Sequence, residues 1–64
     1  MKNNLKKLRE SKGLSQEKLG DNLGVSRQTI NSIENGKFDP SLTLAIKLTK
    51  FFDEPIDSIF ELED

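Results

Sequence analysis

A chain of 64 residues makes one small domain, and a domain of this size buries only about 60% of its unfolded surface, so its core is thin. With no Cys and no His it lacks disulfides, the two commonest zinc ligands and the usual catalytic base, so no metal, cofactor or enzymatic activity is expected, and the redox compartment stays open. The net charge of −1 hides an asymmetry: residues 1–37 carry eight Lys and Arg against four acids, and residues 38–64 two Lys against seven acids, which points to a basic working surface in the first half and an acidic rim elsewhere.

In chain order, the polar start Met1 to Asn4 leads into an amphipathic stretch, not a continuous apolar run. Neither a signal peptide nor a membrane span is expected, and the default is a cytoplasmic protein. Leu5 and Leu8 predict a first helix over about Asn3 to Lys12, ended by Gly13. Ser15 reads as the N-cap of a second helix over about 16–23, with Gln16 and Glu17 in its first turn, Leu19 and Leu23 one turn apart, and Gly24 as its stop. Ser26 caps a third helix over about 27–34, with Ile30 and Ile33 inward and Asn35-Gly36 as the exit. Ser41 opens a fourth over about Leu42 to Phe52, and Pro55 fits the first turn of a short last one, Ile56 to Phe60. The fourth is too apolar for one partner: only Thr43, Lys47 and Lys50 form a clear polar arc, so its surplus needs the last helix or another copy of the chain.

The second and third helices carry the function. They are joined by three or four residues around Gly24, with Gly20 leaving room for a steep crossing and Leu19, Leu23, Val25, Ile30 and Ile33 pinning both helices inward. Arg27, Gln28, Thr29, Asn31 and Ser32 are left on the outer face, all able to hydrogen-bond and none acidic. A major groove admits one such helix. There Arg pairs bidentately with guanine, Gln with adenine, and Lys37 supplies a sequence-blind charge contact.

The stretches LRESKGLSQEKLG, LGVSRQTINSIENGK and DPSLTLAIKL, in this order and spacing, resemble the Cro/repressor (Xre-type) family of helix-turn-helix regulators across essentially the whole chain, most closely its stand-alone single-domain members. The resemblance implies an all-α, five-helix bundle of the lambda-repressor-like type in one domain, residues 1–64, with a short pairing of the chain ends such as Asn3-Asn4 with Phe60 to Leu62. It assigns Arg27, Gln28, Asn31 and Ser32 to base reading. Gln16, Lys18, Ser26, Thr29, Asn35 and Lys37 fall to phosphate contact, Gln16 also bracing the third helix. Arg9 and Glu34 match a buried ion pair, and an acid facing phosphate would in any case repel it, so Glu34 reads as structural. Lys6, Lys7 and Lys12 read as solvated charges. Two positions depart from the pattern: Gly20, where Ala is commoner, and Lys18, where many relatives carry an acid.

The expected partner is double-stranded DNA, with no small-molecule ligand and no membrane. One recognition helix reads only a few base pairs, which predicts a homodimer on a palindrome, acting as a repressor. Its interface is expected at Leu44, Ile46 and Phe51 of the fourth helix, Ile56, Ile59 and Phe60 near the last one, and Leu62. A different reading is an antitoxin-like or accessory module that binds a partner protein and uses DNA only for autoregulation. The acidic second half would serve that too.

Overall fold

The computed structural model describes residues 1–62, with five helices and one two-stranded ladder. Strand β1 is Lys2–Asn3, followed by α1 Leu5–Ser11, α2 Gln16–Leu23, α3 Arg27–Glu34, α4 Leu42–Phe52, α5 Ile56–Ile59 and strand β2 Phe60–Glu61. Three helices begin alike, because an extended serine can turn its hydroxyl oxygen onto the third backbone N–H ahead. Ser15 Oγ accepts from the Lys18 N–H at 3.0 Å, Ser26 Oγ from Thr29 at 3.1 Å and Ser41 Oγ from Leu44 at 3.1 Å. Helix α2 stops at Gly24, whose left-handed backbone (φ 76°) an L side chain would strain.

Ten apolar side chains form the core: Leu5 from α1, Leu19 and Leu23 from α2, Ile30 and Ile33 from α3, Leu44, Leu48 and Phe52 from α4, and Ile59 with Phe60 at the chain's end. Val25, in the α2–α3 turn, packs on this cluster half-buried. At the crossing of α2 and α3 a Cβ on Gly20 would sit 2.6 Å from the Val25 carbonyl oxygen, and the Val25 N–H donates back to the Gly20 carbonyl at 3.0 Å. The turn therefore lies directly on the glycine.

The ladder is antiparallel, Lys2 opposite Glu61 and Asn3 opposite Phe60. It lies one residue nearer the N-terminus than the expected Asn3-Asn4 pairing. Asn4 is taken by other bonds: its N–H donates to the Ile59 carbonyl at 2.8 Å and its side-chain amide to the Ser58 carbonyl at 3.1 Å. The last helix is shorter by one residue than the sequence predicts, because Phe60 turns extended (φ −119°, ψ 148°) to pair with Asn3.

The interface expectation needs correction at two positions. Leu44 and Ile59 are buried in the core of the single chain, and Phe60, buried too, keeps an edge on the hollow it shares with Ile56 and Leu62. A 100° projection shows how much apolar surface a helix has, not which part a neighbour covers. Phe51 is half-buried on another side of α4, edge-on to Phe52 with ring centroids 5.0 Å apart and the Lys12 ammonium 5.8 Å from its centroid. The large apolar side chains left in solvent are Ile46, Ile56 and Leu62 of the expected set, joined by Leu42, with Phe38 apart from them.

Candidate nucleic-acid interface

The outer face of α3 follows from its inner one. Burying Ile30 and Ile33 fixes the helix's rotation, and Arg27, Gln28 and Asn31 then point to solvent with Ser32 half-buried beside them. Spacing of four places Arg27 above Asn31 and Gln28 above Ser32, two rows on one surface.

Behind this face three helices are locked by one buried carboxylate. Glu34, at the end of α3, accepts from Arg9 Nε at 2.6 Å and Arg9 Nη2 at 3.2 Å on α1, and from Gln16 Nε2 at 3.0 Å on α2. The side chains of Arg9 and Glu34 are 10% and 3% exposed, and a third guanidinium nitrogen donates to the Leu14 carbonyl at 2.8 Å. The hydrogen bonds to Glu34, stronger than the opposing effect of burial, hold the Arg9 proton more tightly than in an unfolded chain. Gln16 also donates to Asn31 Oδ1 at 3.1 Å, which fixes that amide with its NH2 turned away from the accepting oxygen and free to donate outward.

Ser26, Gln28, Thr29, Ser32 and Lys37 are brought around one hollow of about 350 Å³ between α3 and the loop that leaves it. The Ser26 and Thr29 hydroxyl oxygens lie 3.0 Å apart. One O–H is used between them, which leaves the other to donate. The loop is tied back to α3 by the Gly36 N–H to Ile33 carbonyl (2.9 Å) and Lys37 N–H to Ser32 carbonyl (3.0 Å) bonds. Lys18 on α2, Arg27 on α3 and Asn35 at its end are exposed but do not line the hollow. The sixth lining residue, Phe38, is absent from the sequence expectation and is 51% exposed. Its one signal in the sequence is an aromatic alone in the polar run Asn35 to Asp39, with no helical partner.

This arrangement defines a class: two short helices crossing over a glycine, the second displaying a hydrogen-bonding, acid-free surface. The helix-turn-helix family profile matches residues 5–59, and the chain belongs to that DNA-binding, Xre-type family of transcriptional regulators. Over all 64 residues it is 58% identical to an uncharacterised HTH-type transcriptional regulator of Methanocaldococcus jannaschii, and 50% identical to a second such regulator of Bacillus subtilis, covering 97% of each relative. Among solved structures it is similar to the restriction-modification controller protein C.AhdI of Aeromonas hydrophila, with 36% identity and a TM-score of 0.76 over 88% of this chain and 85% of that one. No helix among the described residues is long and apolar enough to cross a membrane.

Proposed function

We propose that the chain binds a palindromic operator as a two-fold homodimer and represses transcription, in the cytoplasm, by covering a promoter. Arg27, Gln28, Asn31 and Ser32 read base edges in the major groove, while Gln16, Lys18, Ser26, Thr29, Asn35 and Lys37 hold the flanking phosphates. The observation that carries this reading is the immobilised outer face of α3. A base-reading helix must be positioned to a fraction of an ångström, and Glu34, Arg9 and Gln16 tie α3 to both preceding helices.

The dimer rests on the face the fold leaves uncovered. Leu42, Ala45, Ile46, Pro55 and Ile56 line a shallow hollow of about 660 Å³ between α4 and α5, and Ile56 continues it to a second hollow with Leu62. Two copies joined there present two copies of α3, with half-sites about one helical turn, roughly 10 bp, apart. Selection of bound duplexes from a random DNA pool tests the whole reading. A symmetric site with that spacing is expected, and a selected site without two-fold symmetry refutes the dimeric operator.

A further inference from the structure

We propose that Phe38 packs its ring against a deoxyribose of the DNA backbone, beside a phosphate held by Lys37 and the hydroxyls of the same hollow; the proposal rests on the DNA-binding reading above. Phe38 is an apolar side chain in polar company. The other five residues around its hollow are Ser26, Gln28, Thr29, Ser32 and Lys37, with no acid among them. A protein-docking aromatic sits among other apolar groups, as Leu42, Ile46 and Ile56 sit together around the α4–α5 hollow. A ring flanked by an ammonium, three hydroxyls and an amide matches a different surface, one that alternates an anionic oxygen cluster with a C–H face. The sugar–phosphate backbone has that alternation.

Position also separates sugar from base. Phe38 stands on the loop beyond α3, at the flank of the reading face, where a chain leaving a groove-bound helix meets the groove's wall. The backbone on either side of the ring is held. Lys37 is hydrogen-bonded to Ser32, Gly36 takes the left-handed conformation (φ 74°), and Asp39 precedes Pro40, which restrains its backbone to extended values. The nearest acid is also answered: the Asp39 carboxylate lies 3.0 Å from the Met1 amino group, so its charge is offset beside the proposed phosphate.

The contact has a thermodynamic signature that a charge contact lacks. Burying an apolar ring releases no counterions, so it adds affinity without adding salt dependence. On an operator selected by the wild-type protein, affinities across a salt series are compared for wild type, Phe38→Ala, Phe38→Leu and Lys37→Ala. Phe38→Ala is expected to bind about tenfold more weakly at every salt concentration with an unchanged slope, and Phe38→Leu to recover part of the loss. Lys37→Ala is expected to flatten the log–log slope by about 0.9. The Phe38 variants are expected to melt with the wild type, since the ring lies outside the core. Wild-type affinity in Phe38→Ala overturns the proposal, as does a loss that tracks a lowered melting temperature. So does a loss that disappears when operator thymines are replaced by deoxyuridine, because the ring would then be reading a base methyl. A wild-type protein with no salt-dependent affinity for any duplex refutes the DNA-binding reading itself.

Discussion

Replacing Arg9 with alanine tests the idea that one buried carboxylate organises the reading face. Glu34 keeps only the Gln16 amide after the change, and it sits at the C-terminal end of α3, where the helix's own partial charge is negative. Breaking a buried pair by removing one partner costs about 3–5 kcal/mol. A chain of 64 residues at about 0.05–0.15 kcal/mol per residue has a total stability of about 3–10 kcal/mol, so the variant stands at the edge of folding. With an unfolding entropy of about 2.1 cal/mol/K per residue, the same loss is a fall of about 20–35 °C in melting temperature. Thermal denaturation followed by circular dichroism reads it. The pair of changes Arg9→Met and Glu34→Leu is expected to recover much of the loss, since a hydrophobic replacement of both partners removes the stranded charge. Arg9 holds its proton more tightly in the fold than unfolded, so its share of stability is complete below the ordinary arginine range and is lost only above it; between about pH 5 and pH 10 the Arg9 side adds no slope. An Arg9→Ala protein melting within a few degrees of the wild type would refute the whole account.

Gly20→Ala sets helix propensity, worth about 1 kcal/mol in alanine's favour, against a Cβ placed 2.6 Å from backbone oxygen. Overpacking costs about 1–3 kcal/mol, so a net loss is expected, and a raised melting temperature would show that the turn yields. Ile46→Glu, at a position 46% exposed, is expected to leave the melting of the single chain unchanged while abolishing self-association in sedimentation; an unaltered oligomeric state removes the α4–α5 face as the interface. Arg27→Ala and Gln28→Ala are each expected to cost about 1–3 kcal/mol on the best operator and to relax base preference at one position, read by repeating the selection; an unchanged preference sends base reading elsewhere on α3.

The helices were legible because their signals are local. A capping serine, a period of 3.6 and a stopping glycine each act within a few residues: α2, α3 and α4 begin at those serines and α2 and α3 end beside such glycines, while α4 ends at Asp53, a left-handed residue (φ 54°) with no such signal. Gly20 was legible for the same reason, as a small residue one turn before a turn glycine, although how closely the Val25 carbonyl approaches it was not. What failed was long-range. Which side of α4 faces the core depends on where α5 and β2 come to rest, so the sequence does not show that Leu44 and Ile59 turn inward while Leu42 stays in solvent. The ladder register depends on Asn4 meeting Ser58 and Ile59, contacts with no trace in either segment alone. Phe38 was missed because helical periodicity does not speak for loop residues.

Joining Lys2 to Glu61 closes almost the whole described chain into a ring, whereas α2 and α3 meet across a turn of a few residues. Closure entropy rises only logarithmically with length, about 0.6 kcal/mol per doubling, and the two-residue ladder meets it together with Leu5, Ile59 and Phe60, which the same closure brings into the core. The two helices of the reading unit therefore meet across neighbouring segments, while the ends of the chain reach the core only by closing the ring. That closure also reaches α3. Asn3, inside the ladder, donates from its side-chain amide to the Ile33 carbonyl at 2.8 Å, an acceptor at the end of α3 that also takes the Gly36 N–H at 2.9 Å. Without the ring that carbonyl keeps the Gly36 bond, but the last turn of α3 loses an anchor to the start of the chain. The joining of two distant chain segments is thus coupled, through the Asn3 amide and the Met1 amino group's bond to the Gly36 carbonyl, to the end of α3.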